Sequence, residues 1–396
     1  MLITYLLIRL LTLPLAYLPY RALHALGRHL GTLAYHLIPK YRKRALSNLA
    51  LASDLHLSND DVRRIAKASL QSLMITCLEY PKLAREKDIS NIATCVNPEK
   101  ADAIMAQGKG VIFFCGHQSN WELLFLEGTS RMPGVAIGRP IKNHYLYNWV
   151  QSMRQKFGGT IISPRNAIKE GLRGLKNGAF LGIVGDQGMP DSGYSSMFLG
   201  REAWTSPIPA LLSYKTRTPL IVATTHRKGG HYYIHYSDPL YPNKDTPKEL
   251  EVKRLMDAAL SLYQESIKKH PEEWLWIHNR WKQQTTDIIK RPYRQDSIAL
   301  FLPDDPALAA KLPHIRTLYP REHLSIYIPQ SLQVTLDAEI HPYTHLSETL
   351  EEDLRYKLII NFTQDTTIDR HYKKHAAQTV LHPQSFEELE TIITHA

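Results

Sequence analysis

Between residues 89 and 238 the chain alternates short apolar, β-branched runs with longer amphipathic stretches. ISNIATCV, GVIFFCG, GVAIGR, TIIS, AFLGIVG, PLIVATTHR and HYYIHYS read as strands. Several are apolar at nearly every position, the pattern of strands covered on both faces. Segments such as NHYLYNWVQSMRQKF and NAIKEGLRGLKNG lie between them and carry apolar residues at helical spacing. The expectation is an α/β fold with a mixed, largely buried sheet flanked by helices. Residues 247–270 read as a closing helix.

Both ends of the chain depart from this pattern. After Arg291-Pro292 a βαβ-like alternation starts again with IALFLP, LSIYIP, YKLIINFT and a last helix from Phe386. This predicts a small Rossmann-like C-terminal domain over 296–396, without a glycine-rich phosphate loop to argue for a nucleotide. Residues 1–20 are apolar apart from Arg9 and a few Thr and Tyr. They barely supply the roughly 20 apolar residues of a spanning helix, and Pro14 and Pro19 would kink or end one. The reading is an N-terminal membrane-anchor helix, inserted or lying in the interface, within a segment 1–45, followed by a central domain over 46–292.

Charge sharpens this division. Residues 296–396 carry 8 Lys and Arg against 15 Asp and Glu, a net −7, whereas the other 295 residues carry 40 against 23, a net +17. The C-terminal domain is therefore expected to be an accessory unit, dispensable for the chemistry. The first 53 residues hold no Asp or Glu, and their cluster KYRKR (Lys40 to Arg44) is placed at anionic headgroups. A basic body suits an anionic partner, and with no zinc finger, basic zipper or aromatic-interleaved RNA motif, nucleic acid is not expected. The three cysteines, Cys77, Cys95 and Cys115, form no CxxC or other zinc spacing, so neither a disulfide framework nor a metal is predicted.

The candidate chemistry lies in GVIFFCGHQSNWELLFLEG, where a buried strand runs into a turn with His117 and then a helix with Glu122. Open α/β sheets place their sites at the carboxyl ends of strands. An acid one turn into the helix can reach back to the imidazole and fix its tautomer, leaving the other nitrogen as general base. The same spacing recurs in HLSNDD (His56 to Asp61), but in a polar stretch with no preceding strand. A structural alternative for Glu122 is a capping box with Ser119. Asp186 ends the run AFLGIVG, and Arg139 and Arg165 follow strands on the side where His117 emerges. Trp274, Trp276 and Trp281 read as packing residues and Cys115 as core.

In order along the chain, GHQSNWE, GRP (138–140), PRNAIKEGLRGLKNG, GDQG, FLGREAWTSPIPALL and WLWIHNRWK resemble blocks of the bacterial lipid A biosynthesis lauroyl/myristoyl acyltransferases, members of the lysophospholipid acyltransferase superfamily. The resemblance covers roughly residues 1–290. It implies that His117 is the catalytic histidine with Glu122 as its paired acid, and that Asp186, Gln187, Arg139, Arg165 and Arg154 bind substrate. It also implies an acyl-carrier protein as thioester donor, an anionic lipid A precursor as acceptor, the cytoplasmic face of the inner membrane as location, and no cofactor. Departures occur at Gly138, Gly188 and Leu199, which bear on the lipid or chain length accepted. The alternative acceptors are a lysophospholipid or a mannosylated phosphatidylinositol. The other classes are glycosyl transfer, suggested by the tail, and a non-catalytic membrane interaction protein.

Overall fold

A computed structural model describes residues 1–283 and 285–395. Four helices come first: α1 (Leu2–Thr12), α2 (Tyr20–Leu37), α3 (Pro39–Leu51) and α4 (Asn59–Leu83). A 3-10 turn containing Pro14 ends α1, Pro19 caps α2, and Pro39 opens α3 where its missing N–H is harmless. At α4 the Ser58 hydroxyl accepts the Asp61 N–H, so HLSNDD is a helix start. Gly27 and Gly31 let α2 press onto α4; a Cβ at Gly31 would stand 2.3 Å from the Gln71 Cα.

The expected anchor is shorter than a span. Helix α1 has 11 residues and buries none of them, and among the described residues no helix is long and apolar enough to cross a membrane. Its Leu2, Ile3, Leu6, Leu7, Leu10 and Leu11 are all exposed. The basic cluster behind it is only partly outward. Lys43 donates to the Ala377 carbonyl at 2.7 Å, and Arg44 reaches the Ile277 carbonyl at 3.4 Å.

The central layer follows as β1 (Ala93–Cys95), α5 (Glu99–Met105), β2 (Ile112–Cys115), α6 (Glu122–Arg131), β3 (Gly134–Ile137), α7 (His144–Arg154), β4 (Thr160–Ile162), α8 (Ala167–Lys176) and β5 (Phe180–Val184). A hairpin of β6 (Ser195–Phe198) and β7 (Arg201–Trp204) precedes α9 (Ile208–Thr216), β8 (Leu220–Lys228), β9 (His231–Tyr236) and α10 (Lys248–Lys269). Seven strands form one sheet in the order β1-β9-β8-β2-β5-β3-β4. Strands β8, β2, β5, β3 and β4 run parallel, while β9 is antiparallel to β8 and carries β1 parallel to itself, so the sheet is mixed as expected.

Alternation along β2 builds two cores at once. Ile112 and Phe114 pack with Leu260 and Tyr263 of α10, whereas Phe113 and Cys115 pack with Leu123 and Leu126 of α6. Because the central strands are parallel, the residues that follow β2, β5, β3 and β4 leave at one edge of the sheet. These are His117, Asp186 with Gln187, Arg139 and Arg165 in turn.

The C-terminal unit contains β10 (Ser297–Phe301), α11 (Pro306–Lys311), α12 (Ile315–Leu318), β11 (His323–Pro329), β12 (Glu339–Tyr343), β13 (Leu358–Asn361), α13 (Thr366–Lys374), β14 (Thr379–Leu381) and α14 (Phe386–Ile393). Its five strands are all parallel in the order β12-β11-β10-β13-β14, with the first strand central. It also takes in the residues before 296, since Ile289 bridges to Thr394 and the Lys290 N–H donates to the Ile393 carbonyl at 2.6 Å.

This unit meets the rest of the chain through buried polar groups. Lys357, fully buried, donates to Asp296 at 2.6 Å and to the Asn48 side-chain oxygen at 2.8 Å. Asn48 in turn donates to the carbonyls of Trp276, at 2.7 Å, and of His278. Ser47 donates to the Arg355 carbonyl at 2.5 Å. The Lys357–Asp296 ion pair lies within the C-terminal unit itself, and Lys357 reaches the rest of the chain through the Asn48 oxygen.

Candidate active site

Strand β2 delivers the chain to a turn at 116–121 that four other segments hold. Gly116 starts it because nothing larger fits: a Cβ there would lie 2.1 Å from the Tyr263 hydroxyl and 2.7 Å from the Asp186 carboxyl carbon. The His117 carbonyl accepts the Leu275 N–H at 3.0 Å, and the Ser119 N–H donates to the Glu273 carbonyl at 2.7 Å. From α4, Thr76 donates to the Ser119 carbonyl at 3.1 Å. Ser119 is left-handed, with φ +51°, a conformation that non-glycine residues keep only under surrounding constraint.

The turn places His117 against Asp186. The imidazole Nδ1 lies 2.8 Å from Asp186 Oδ1, while the His117 backbone N–H donates to Oδ2 at 2.7 Å. The Trp274 indole N–H donates to the same Oδ2 at 2.8 Å. Asp186 is buried, which by itself would raise its pKa. The charge on His117 and the hydrogen bonds from His117 and Trp274 outweigh that and hold the carboxyl well below the usual range. An ionised Asp186 on Nδ1 keeps the proton there and leaves Nε2 with its lone pair outward. The Gln187 amide nitrogen stands 3.4 Å from Nε2, and the rings of Trp121 and His278 each lie with their centroid 4.8 Å from that of the imidazole. Burial, then the neighbouring His117, push His278 down to about 4, so it stays neutral at physiological pH.

Glu122 is elsewhere engaged, and the expected His117–Glu122 pair is not formed. It begins α6, is buried, and accepts Arg154 Nε at 2.7 Å, Arg154 Nη2 at 2.5 Å and the Tyr80 hydroxyl at 2.6 Å. The physical reason is direction: at the first helical position its side chain points away from the imidazole and meets the end of α7. The capping box is not formed either, since the Ser119 hydroxyl has no hydrogen-bond partner. Instead the Asn120 side-chain oxygen accepts the Glu122 N–H at 3.2 Å, and its amide donates to Glu79 at 2.7 Å. Arg154, expected at substrate, is the partner of Glu122.

Arg139 and Arg165 are exposed at the same sheet edge and make no ion pair among the described residues. They are free to meet an anion. Sequence reasoning passed over Trp274 as packing and did not single out His278 or Asn48, although the first two lie in the quoted block WLWIHNRWK. Among the described residues no group of three or more His, Cys, Asp or Glu is arranged to hold a metal ion.

Comparison with known proteins adds the following. A family model described as bacterial lipid A biosynthesis acyltransferase matches residues 1–283. The chain is similar to the lipid A biosynthesis lauroyltransferase of Escherichia coli strain K12, at 22% identity over 284 residues, 69% of this chain and 90% of that protein. It is also similar to the lipid A biosynthesis palmitoleoyltransferase of the same strain, at 24% identity over 274 residues, 67% of this chain and 86% of that protein. A lipid A biosynthesis acyltransferase of Shigella flexneri matches to the same extent. The matched region contains every residue of the turn and its partners, and ends before the C-terminal unit.

Proposed function

The chain belongs to the bacterial lipid A biosynthesis acyltransferase family, and from that premise we propose that it transfers a fatty-acyl group from a carrier-protein thioester to a hydroxyl of a phosphorylated lipid A precursor. The observation that carries this reading is the His117–Asp186 contact at the carboxyl edge of the sheet. His117 Nε2 takes the proton of the acceptor hydroxyl as its oxygen attacks the thioester carbonyl. Asp186 fixes the tautomer and stabilises the imidazolium. The tetrahedral intermediate collapses with loss of the thiolate, which receives the proton back from His117. Glu122 acts one step removed: paired with Arg154, it fixes the start of α6 and so the exit of the turn.

Arg139 and Arg165 supply positive charge beside the reacting centre for the phosphate of the acceptor. The test of the whole reading is mass spectrometry of the lipid A precursor after incubation with the full chain and isotopically labelled acyl-carrier protein. A labelled acyl ester on the precursor is expected, and label found only on a neutral lipid or on water would overturn it. Arg139→Glu and Arg165→Glu are each expected to lower kcat/KM for the phosphorylated acceptor by about 10-fold or more, in line with loss of a charge-assisted hydrogen bond. The defect should shrink as salt is raised. Unchanged kcat/KM in both variants would remove these arginines from the acceptor site.

Association with the cytoplasmic face of the inner membrane is part of this proposal, with α1 lying in the interface rather than crossing. Its exposed leucines are the support. Each leucine side chain moved from water into lipid contributes roughly 1.5–3 kcal/mol. Leu6→Glu with Leu10→Glu is therefore expected to shift the full chain from sedimenting vesicles to the supernatant. Undiminished sedimentation would place the contact on another surface.

A further inference from the structure

At the same carboxyl edge of the sheet, but across its width from the β3 and β4 ends that carry Arg139 and Arg165, there is at the β8–β9 end a cavity of about 410 Å³ lined by Arg21, His24, Arg28, Arg227, Gly229 and Gly230. Arg21, His24 and Arg28 share one face of α2 because they are three and four residues apart. Arg227 faces them from the end of β8. The wall between is a two-residue turn, Gly229-Gly230, closing the pair Lys228 and His231 with φ +62° and +89°. Both residues are left-handed, as this kind of hairpin requires, and neither has a side chain to fill the space.

The charge in this cavity is unbalanced. Three guanidinium groups line it and no carboxylate does. Arg21 and Arg28 have no hydrogen bond or ion pair from their side chains among the described residues. Arg227 is only loosely held, by the Tyr232 and Ser72 hydroxyls at 3.3 Å each. Guanidinium groups with spare donors, arranged around a space larger than a bare ion, suit a phosphate monoester with an organic group attached.

The inner wall is wired to the catalytic turn by two separate routes. His24 Nε2 contacts Glu79 at 2.6 Å, and Glu79, fully buried, also accepts from Tyr232 at 2.8 Å and from Asn120 of the turn at 2.7 Å. The Arg227 N–H donates to the Glu273 carboxylate at 3.1 Å, and the Glu273 carbonyl accepts the Ser119 N–H at 2.7 Å. Each route reaches the turn through a single intermediate residue. We propose that this cavity is a second anion site, which takes a phosphate monoester, and that its occupation stiffens the turn carrying His117.

The phosphate could be a lipid headgroup's or a soluble molecule's, and two probes separate the sources. The full chain is titrated calorimetrically with inorganic phosphate, and separately with phosphatidylcholine vesicles with and without phosphatidic acid. Arg21→Glu and Arg28→Glu, both at exposed and unpaired positions, are compared with Lys109→Glu, an exposed cation in the loop before β2. Binding that weakens about 10-fold or more in the two arginine variants and not in the lysine control supports the site. Binding of inorganic phosphate assigns a soluble source, and binding confined to phosphatidic acid vesicles assigns a headgroup. Binding that is absent with both probes, or equal in all three variants, overturns it. Hydrogen exchange at the Ser119 and Glu122 amides is expected to slow on binding, and unchanged exchange in a protein that binds would overturn the link to the turn. None of these readouts requires turnover, so they stand or fall apart from the acyl-transfer reading.

Discussion

Replacing His117 by alanine is expected to lower kcat by at least about 10²–10⁴-fold, the contribution of a positioned general base, with the unfolding transition kept. Asp186→Asn should be comparably severe, since the analogous change in Ser-His-Asp enzymes lowers kcat by about 10⁴. The asparagine amide cannot accept from Nδ1, the backbone N–H and Trp274 as the carboxylate does. Glu122→Gln, by contrast, weakens the ion pair with Arg154 and is expected to lower kcat much less than Asp186→Asn does. If kcat fell far more in Glu122→Gln than in Asp186→Asn, the assignment of the two acids would have to be exchanged.

The largest effect on stability is expected from Lys357→Met. The substitution leaves Asp296 buried without its partner and the Asn48 oxygen without its donor, and breaking a buried pair from one side costs about 3–5 kcal/mol. Chemical denaturation of the purified chain measures it. Adding Asp296→Asn should recover a large part of the loss, because the unpaired charge is then removed. Ending the chain at 287 should be worse still, giving protein without a cooperative unfolding transition. Soluble, cooperatively unfolding protein from that truncation would bear out the expectation that the C-terminal unit is an independent appendage.

The strands of the central layer were legible because burial on both faces leaves an unmistakable apolar run. All seven runs named in the sequence appear as the seven strands of the central sheet. The hairpin β6–β7 was not, since SSMFLGREAW mixes polar and apolar residues and is held by packing against α10 and the buried tryptophans. Strand β12, with two half-buried positions and two exposed ones out of five, gives no signal for the same reason. At the site, the position of His117 followed from a local motif, but its partner did not. Asp186 is 69 residues away, and only the adjacency of β2 and β5 brings it to the imidazole. Strand order is not written in spacing, so the sequence points to the nearer acid, Glu122, which in the structure pairs with Arg154. Lys43 failed in a similar way: a basic run near an apolar start reads as a membrane contact until the C-terminal unit is there to receive it.

The distribution of the site along the chain has a consequence for the order of synthesis. The apolar helix α1 leaves the ribosome before any residue of the site, and its exposed leucines do not depend on any later contact for their position on its surface. Everything that completes His117 comes later: Asp186, then Tyr263, Trp274 and His278, and finally Lys357 to hold the strand of residues that carries His278. On the reading that α1 seeks lipid, the growing chain reaches a membrane surface while it is still chemically inert, and gains reactivity only after the residues that complete the site have been made.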